Sequence, residues 1–404
     1  MYPETSQTPR LMILTDGYPP DGQGGATRIP YYQAIAFKER GWDVAVVTSF
    51  HDSVRKRAQI TVEEGITIYR VFPIQPFSRT QSASVWDNAF RIAFTVANPL
   101  MKNAIRDAIN HFNPNILHAH HIPRISYDIF ASTAPSLPRV LTFHTYAFEC
   151  PKGGLFRKRK KMICSHKPLP CQIYQSRFHK SLKPVNKIVA ISNFIKDRLL
   201  LAGHDPDKIT YIPNGVPNLE DREFIPPSNN HHILYVGRLD HNKGLLDLIN
   251  AFTEISGKSE RLVIIGDGPI RSKLEQAAQH DPRIEFLGWL KPDEVNAWYR
   301  RSRMVVVPSV WHEVMNTVIC EAQSWGRPVI ATRVGGNADM IKHQNNGFLV
   351  NAGDVLELQA MMIRLLGDDI TTDEIGFNGY KTIKQYGIER HLNALETLFA
   401  ELQK

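Results

Sequence analysis

At 404 residues the chain exceeds what one hydrophobic core organises, so two domains are expected. A composition of 43% apolar and 22% charged residues is that of a folded globular protein, and no run of about 18 apolar residues offers a membrane span. The net charge of +8 is unevenly placed: residues 1–200 hold 27 Lys and Arg against 13 Asp and Glu, and the remainder 21 against 27. A basic first half calls for an anionic partner such as a phosphorylated acceptor, a membrane surface or nucleic acid, unless it is only a solvated face.

The opening stretch lacks a basic start followed by an apolar run, which predicts no export signal and a cytoplasmic protein, with the inner face of the membrane as a place of attachment. LMILTD (11–16) reads as a strand. A Gly-rich loop and a helix from about Arg28 to Arg40 follow, then the strand GWDVAVVT (41–48). That is a βαβ opening of the kind found in parallel sheets covered on both faces. Further strands are expected at 66–72, 115–120, 139–144 and 187–192, and 209–216 closes this half. PNLEDREFIPPSNN (217–230) is polar, Pro-rich and aperiodic, hence a linker.

A second strand series starts at HHILYVG (231–237) and continues at 261–268, 283–288, 304–309, 327–332 and 347–350. The fold class expected is α/β, with two doubly wound Rossmann-like domains facing across a cleft. The first spans 1–216 with an insertion at 148–183, and the second spans 231–385. Ile388, Leu392, Leu395, Leu398 and Phe399 at helical spacing predict an amphipathic helix over 386–404 that packs back on the body, the first domain being its expected site.

Two stretches of the second half carry chemistry. YVGRLDHNKG (235–244) leaves a strand end. Gly237 permits close backbone approach, and Arg238 and Lys243 supply two cations suited to a diphosphate without a metal. PSVWHEVMNTVICEAQSWGRPVIAT (308–332) places Glu313 in a strand-end loop and Glu321 on a helix capped by Asn316 or Thr317 and stopped by Gly326. N–H groups around Met315, Asn316, Thr317 and Val318 are available to a phosphate. Carboxylates without a metal suit paired hydroxyls of a sugar or a ribose. The plain alternative is a structural ion pair for each Glu, with Arg238 or Arg333.

The E-x7-E spacing of Glu313 and Glu321, framed by VVVPS and EAQSWGRPVIAT, resembles the retaining glycosyltransferases of family 4, which have the GT-B fold. YVGRLDHNKG, VIIGDGP, FLG, VGGNADMI and NGFLV extend the resemblance, in order, over almost the whole chain. It implies transfer of a hexose from a UDP- or GDP-sugar to a hydroxyl of a saccharide or lipid-linked saccharide, as in cell-surface polysaccharide or glycolipid synthesis, with no cofactor. Arg238 and Lys243 would neutralise the diphosphate, Glu313 would contact the transferred sugar and Glu321 the ribose. Gly24 and Gly25 of GQGGA match the family's amino-terminal loop, and His144 after TFH matches a histidine that bonds the donor sugar. Arg28, His120 and His121, the last two in HAHH (118–121), are placed on the acceptor side. Three departures bear on the donor sugar: Asn316 for Gly or Pro, Asp339 for Glu, and Thr145 for Asp. The rival readings are a glycoside hydrolase using the two carboxylates and a non-catalytic nucleotide-sugar-binding scaffold.

The insertion stands apart. Cys150, Cys164 and Cys171 with His166 raise a structural zinc site, against the plain reading of three reduced thiols. RKRKK, Arg157 to Lys161, fits docking to anionic membrane or to an acceptor diphosphate, and the absence of interleaved aromatics argues against nucleic acid. Cys320 is expected to be a small core residue.

Overall fold

The computed structural model describes residues 8–21, 25–50, 58–72, 92–157, 162–164, 167–217, 219, 222–257 and 259–404. Its strands in chain order begin with β1 (Arg10–Leu14), β2 (Asp43–Ser49), β3 (Gln59–Glu63), β4 (Ile66–Val71), β5 (Ile116–Ala119) and β6 (Arg139–Phe143). A short antiparallel hairpin, β7 (Phe156–Arg157) with β8 (Met162–Ile163), precedes β9 (Lys187–Ala190) and β10 (Ile209–Tyr211). The second series is β11 (His232–Val236), β12 (Arg261–Ile265), β13 (Ile284–Gly288), β14 (Ser302–Val307), β15 (Val329–Thr332) and β16 (Phe348–Val350).

These strands form two large sheets in two units. One unit comprises residues 1–154, 166–215 and 388–404; the other comprises 155–165 and 216–387. The first sheet runs β10-β9-β6-β5-β1-β2-β4-β3, parallel except for β3, and the second runs β13-β12-β11-β14-β15-β16, parallel throughout. In both, the strand order reverses partway: between β1 and β5 in the first, between β11 and β14 in the second. Ligands of doubly wound sheets bind beyond the carboxyl ends of the strands at such reversals.

Burial explains the apolar runs. Leu11 to Leu14 are fully buried because β1 lies in mid-sheet with both faces covered. In the second unit the two-residue period sorts the core. Ile233, Ile264, Met304, Val306 and Ile330 face one side with Leu358, Met362 and Leu365, while Leu234, Val263, Val305, Val307 and Val329 face the other with Ile319 and Cys320. Edge strand β3 is absent from the sequence reading because QITVE buries no face: Ile60 and Val62 are exposed.

The helices of the first unit are α1 (Gly25–Glu39), α2 (Pro99–Phe112), α3 (Leu169–Ser181) and α4 (Asn193–Leu201), the last capped by Ser192 accepting from the Ile195 N–H. The second unit has α5 (Leu245–Thr253), α6 (Arg271–Ala278), α7 (Pro292–Arg301), α8 (Thr317–Ser324), α9 (Asn337–Met340), α10 (Val355–Gly367) and α11 (Asp369–Thr382). The final helix, α12 (Ile388–Leu402), belongs to the first unit. Its buried residues include Leu392, Leu395, Leu398 and Phe399, and Phe399 stacks on Phe37 of α1 at 5.9 Å. Arg40 holds it by ion pairs to Glu389 and Glu396.

Within the stretch expected to be a linker, residues 222–230 are strapped to the second unit. Arg303 and Arg327 are fully buried, and a buried guanidinium needs acceptors on every side. Arg303 donates to the Ser228 carbonyl at 2.6 Å, Arg327 to the Ile225 carbonyl, and Ser228 donates to Asp373 at 2.8 Å. The strap's polar composition reflects this service to buried cations rather than free chain.

Phe399→Ala removes a buried ring from between Phe37, Trp42 and His118 and should cost the first unit about 3–5 kcal/mol. The check is a lowered urea midpoint with far-UV dichroism in water unchanged.

Candidate functional site

In the second unit the reversal brings together two loops that lie 70 residues apart in sequence. The loop after β11 turns at Gly244, whose φ of +68° and contact with the Pro308 carbonyl leave no space for a Cβ. The same loop is tied to the one after β14 by the Val310 N–H donating to the Asn242 carbonyl at 2.9 Å. Lys243 thereby reaches Glu313. Its Nζ lies 2.7 Å from Oε1, and Ser309 Oγ donates to the same oxygen at 2.5 Å. Lys243 also sits 5.5 Å from the Trp311 ring centroid.

Glu313 is 5% exposed, so its carboxylate must be paired, and the cation that pairs it is Lys243 rather than Arg238 or Arg333. Its backbone is held as tightly. The Gly336 N–H donates to the Glu313 carbonyl at 2.7 Å, and a Cβ on Gly335, at φ +55°, would stand 2.0 Å from that oxygen. The GG of VGGNADMI therefore shapes the loop that aims Glu313.

Arg238 is different. Its side chain is 68% exposed and 3.9 Å from Asp240, free to meet an incoming anion. Gly237, at φ +153° and against the Tyr235 hydroxyl, lets the chain turn there. Helix α8 starts at Asn316, whose side chain accepts from the Val318 N–H at 3.2 Å. That corrects the expectation that Val318 offers its N–H to a phosphate: the cap has taken it. The Met315 and Thr317 backbone remains at the positive end of α8.

Glu321 Oε2 accepts from the Tyr299 hydroxyl at 2.9 Å, and burial and this carboxylate together push the Tyr299 phenol well above its ordinary range. A tyrosine thus partners it, and Arg222, which lies over the Trp325 ring, acts on it electrostatically. Tyr299 carries no motif signal, and Ser309, although it ends VVVPS, was not singled out as a site residue.

In the first unit, groups at the carboxyl ends of β1, β5 and β6 gather at the β1/β5 reversal. His144 is 6% exposed and its Nε2 lies 2.8 Å from His120 Nδ1, with the rings stacked at 14°. His118 Nε2 bonds Thr142 Oγ1 at 2.8 Å. His118 and His120 are fully buried, so HAHH does not present them to an acceptor; they support their neighbours. His121, half-buried, meets Thr145 Oγ1 at 3.4 Å. His391 of α12 bonds Gln33 and the Pro213 carbonyl, at 2.6 and 2.7 Å.

Burial is the main cause holding these rings neutral. His144 and His118 are pushed down to about 3, and His121 and His391 to about 4. A neutral His144 can donate or accept but carries no charge at neutral pH. Asp16, missed in the sequence, accepts from the Arg124 and Ile125 N–H groups and is pushed well above the carboxylate range by burial.

Gly25 opens α1 and Arg28 lies half-buried on it, while Gly24, His166 and Lys158 to Lys161 lie outside the described residues. Cys150, Cys164 and Cys171 are half-buried and form no disulfide, and among the described residues no three His, Cys, Asp or Glu are grouped to hold a metal. Cys150 lies in the loop after β6, Cys164 follows β8, and Cys171 is in the first turn of α3. Cys320 is buried in the core. Among the described residues no helix is long and apolar enough to cross a membrane.

Comparison with known proteins matches residues 23–218 to the family model Glycosyltransferase Family 4 and residues 230–368 to Glycosyl transferases group 1. An uncharacterised glycosyltransferase of Methanocaldococcus jannaschii is 27% identical over 363 residues, covering 84% of this chain and 85% of its own. A UDP-Gal:alpha-D-GlcNAc-diphosphoundecaprenol alpha-1,3-galactosyltransferase of Escherichia coli is 26% identical over 309 residues, covering 71% and 76%. Among solved structures, sucrose-phosphate synthase from Thermosynechococcus elongatus superimposes with a TM-score of 0.78 at 18% identity over 98% of this chain and 99% of that one. That likeness shows the fold.

Gly335→Ala should displace Glu313 and lower sugar transfer on the order of 100-fold with the fold retained, read from turnover beside circular dichroism. A second expectation concerns acid. Each histidine lowered below 6.5 makes the unfolded chain bind more protons, so its share of stability is full above pH 6.5 and lost as pH falls toward 4. Asp16, raised, acts with the opposite sign but is one group against several. Unfolding between pH 4 and 6.5 should take up more than one proton, measured from the pH dependence of the urea unfolding free energy.

Proposed function

The chain belongs to the family 4, group 1 glycosyltransferases, an enzyme family, and from that premise we propose that it moves a sugar from a nucleotide-diphosphate donor to a hydroxyl acceptor with the anomeric configuration retained. The observation that carries the reading is the buried Glu313 carboxylate, held by Lys243 and Ser309 at the strand-order reversal of the second unit.

In this reading Arg238, Lys243 and the positive end of α8 receive the diphosphate. The ammonium of Lys243 then divides its hydrogen bonds between phosphate and Glu313, leaving the second carboxylate oxygen to a sugar hydroxyl. Glu321 exchanges the Tyr299 hydroxyl for ribose hydroxyls, and Gly237 allows the backbone to come near the donor. The family resemblance assigns His144, neutral, to a sugar hydroxyl, and Arg28 and His121 to the acceptor. The acceptor oxygen bonds the anomeric carbon as the bond from that carbon to the phosphate oxygen breaks. The acceptor proton passes to the departing phosphate oxygen. No side-chain base is required, which accords with Glu313 being tied to a cation.

The Escherichia coli relative acts, by its name, on a UDP-sugar and a diphospholipid-linked sugar, and that supports a UDP-sugar donor and a lipid-linked saccharide acceptor.

Glu313→Gln keeps the shape and removes the charge, so transfer should fall about 100-fold with donor affinity changed far less. Arg238→Ala should weaken donor binding about tenfold to a hundredfold and leave the melting temperature unchanged, since the side chain is mostly exposed. Radiolabelled UDP- and GDP-sugars with lipid-linked acceptors provide the assay. Parent-like turnover in both variants, or free sugar released with no glycan product, overturns the reading.

A further inference from the structure

The basic excess of the first half is concentrated where the donor site is not. Residues 151–200 contain 13 Lys and Arg and a single acid, Asp197. Within this stretch α3 buries Tyr174 and Phe178 and turns its opposite face outward. Leu169 and Ile173, four residues apart, are 69% and 48% exposed there, and Ser176, Arg177 and Lys180 continue the same face. Beside it lies an open groove of about 540 Å³ lined by Gln172, Ser176, His179, Lys180, Lys183 and Gly203. Gly203 belongs to the chain leaving α4, whose last residues, Leu200 and Leu201, are 37% and 78% exposed. Exposed leucines thus lie on both helices that flank a cationic, hydroxyl- and amide-lined groove.

Each feature alone has an ordinary explanation: single exposed leucines are common, and lysines are solvated. Their combination is not ordinary. Apolar side chains on either side of a furrow of cations match the boundary of a bilayer, where phosphates lie just outside the acyl chains. Single-stranded nucleic acid would be met by aromatic platforms, and the aromatics of α3 are buried in the opposite direction.

We propose that the outer face of α3 and the end of α4 dock this protein on an anionic bilayer, with lipid phosphates in the groove against Lys180 and Lys183 and with Leu169, Ile173 and Leu201 inserted at the headgroup boundary. The surface lies outside the donor-binding residues, so it stands or falls separately from the transfer reading. It also differs from the basic run Arg157 to Lys161.

Sedimentation of the full-length protein with phosphatidylcholine vesicles, with and without phosphatidylglycerol, tests it. Binding is expected only to the anionic vesicles and should weaken with salt. Lys180→Glu with Lys183→Glu should lower the partition coefficient about 100-fold or more, and Leu169→Ser, Ile173→Ser and Leu201→Ser together about tenfold or more. All five positions are exposed, so both variants should melt like the parent. Glu313→Gln should bind vesicles as the parent does, which separates docking from catalysis. Equal binding to neutral vesicles, no binding, or binding lost on neutralising Arg157 to Lys161 and kept in the α3 and α4 variants would overturn the proposal. So would capture of acidic protein in preference to anionic vesicles.

Discussion

A carboxylate that is 5% exposed cannot stand alone, and the second unit is arranged around meeting that requirement at Glu313. Lys243 reaches it only because β11 and β14 are neighbours, so that the loops leaving their carboxyl ends run side by side. Gly244 packs its turn against the Pro308 carbonyl, and Gly335 packs against the Glu313 carbonyl. Two glycines thereby fix the approach of three loops. Lys243 retains hydrogen-bonding capacity beyond Glu313, since an ammonium has three donors and the carboxylate oxygen takes one.

The first unit solves a related problem without charge. Its histidines lie at or behind the corresponding reversal, burial keeps them neutral, and His144 with His120, and His118 with Thr142, are each bonded through one ring nitrogen, while His391 bonds Gln33 and the Pro213 carbonyl. Helix α12 takes part directly, since it brings His391 and Phe399 from the end of the chain to the back of this cluster. Rigidity around His144 is the consequence: its ring is stacked and bonded on one side before any ligand arrives. In the second unit the strap over 222–230 has a comparable role. Its carbonyls satisfy Arg303 and Arg327, whose guanidinium groups would otherwise be buried without acceptors.

The local structure was largely legible. Apolar runs ending at Gly, Ser or Pro marked the strands of both parallel sheets, and the loop–helix sequence after β14 placed Glu313 in a loop and Glu321 on a capped helix. Asn316 serves as that cap, one of the two candidates read from composition. β3 escaped because neither of its faces is buried, so it shows no contrast for periodicity to detect. The attachment of 222–230 to buried arginines was not legible, because polar residues and prolines look alike whether they are solvated or bonded to buried groups.

What the sequence determined by itself was local: the period of each element, the cap and stop of α8, the spacing of the two glutamates and the cations at a strand end. Backbone sterics and side-chain burial act within a few residues, and a linear pattern records them. Only the tertiary structure decided who pairs with whom: Lys243 and Ser309 for Glu313, Tyr299 for Glu321, His120 for His144. Those choices follow strand order, and strand order is set by how whole βαβ units pack. A periodic pattern says which face a residue takes, but it does not say which strand lies next to it.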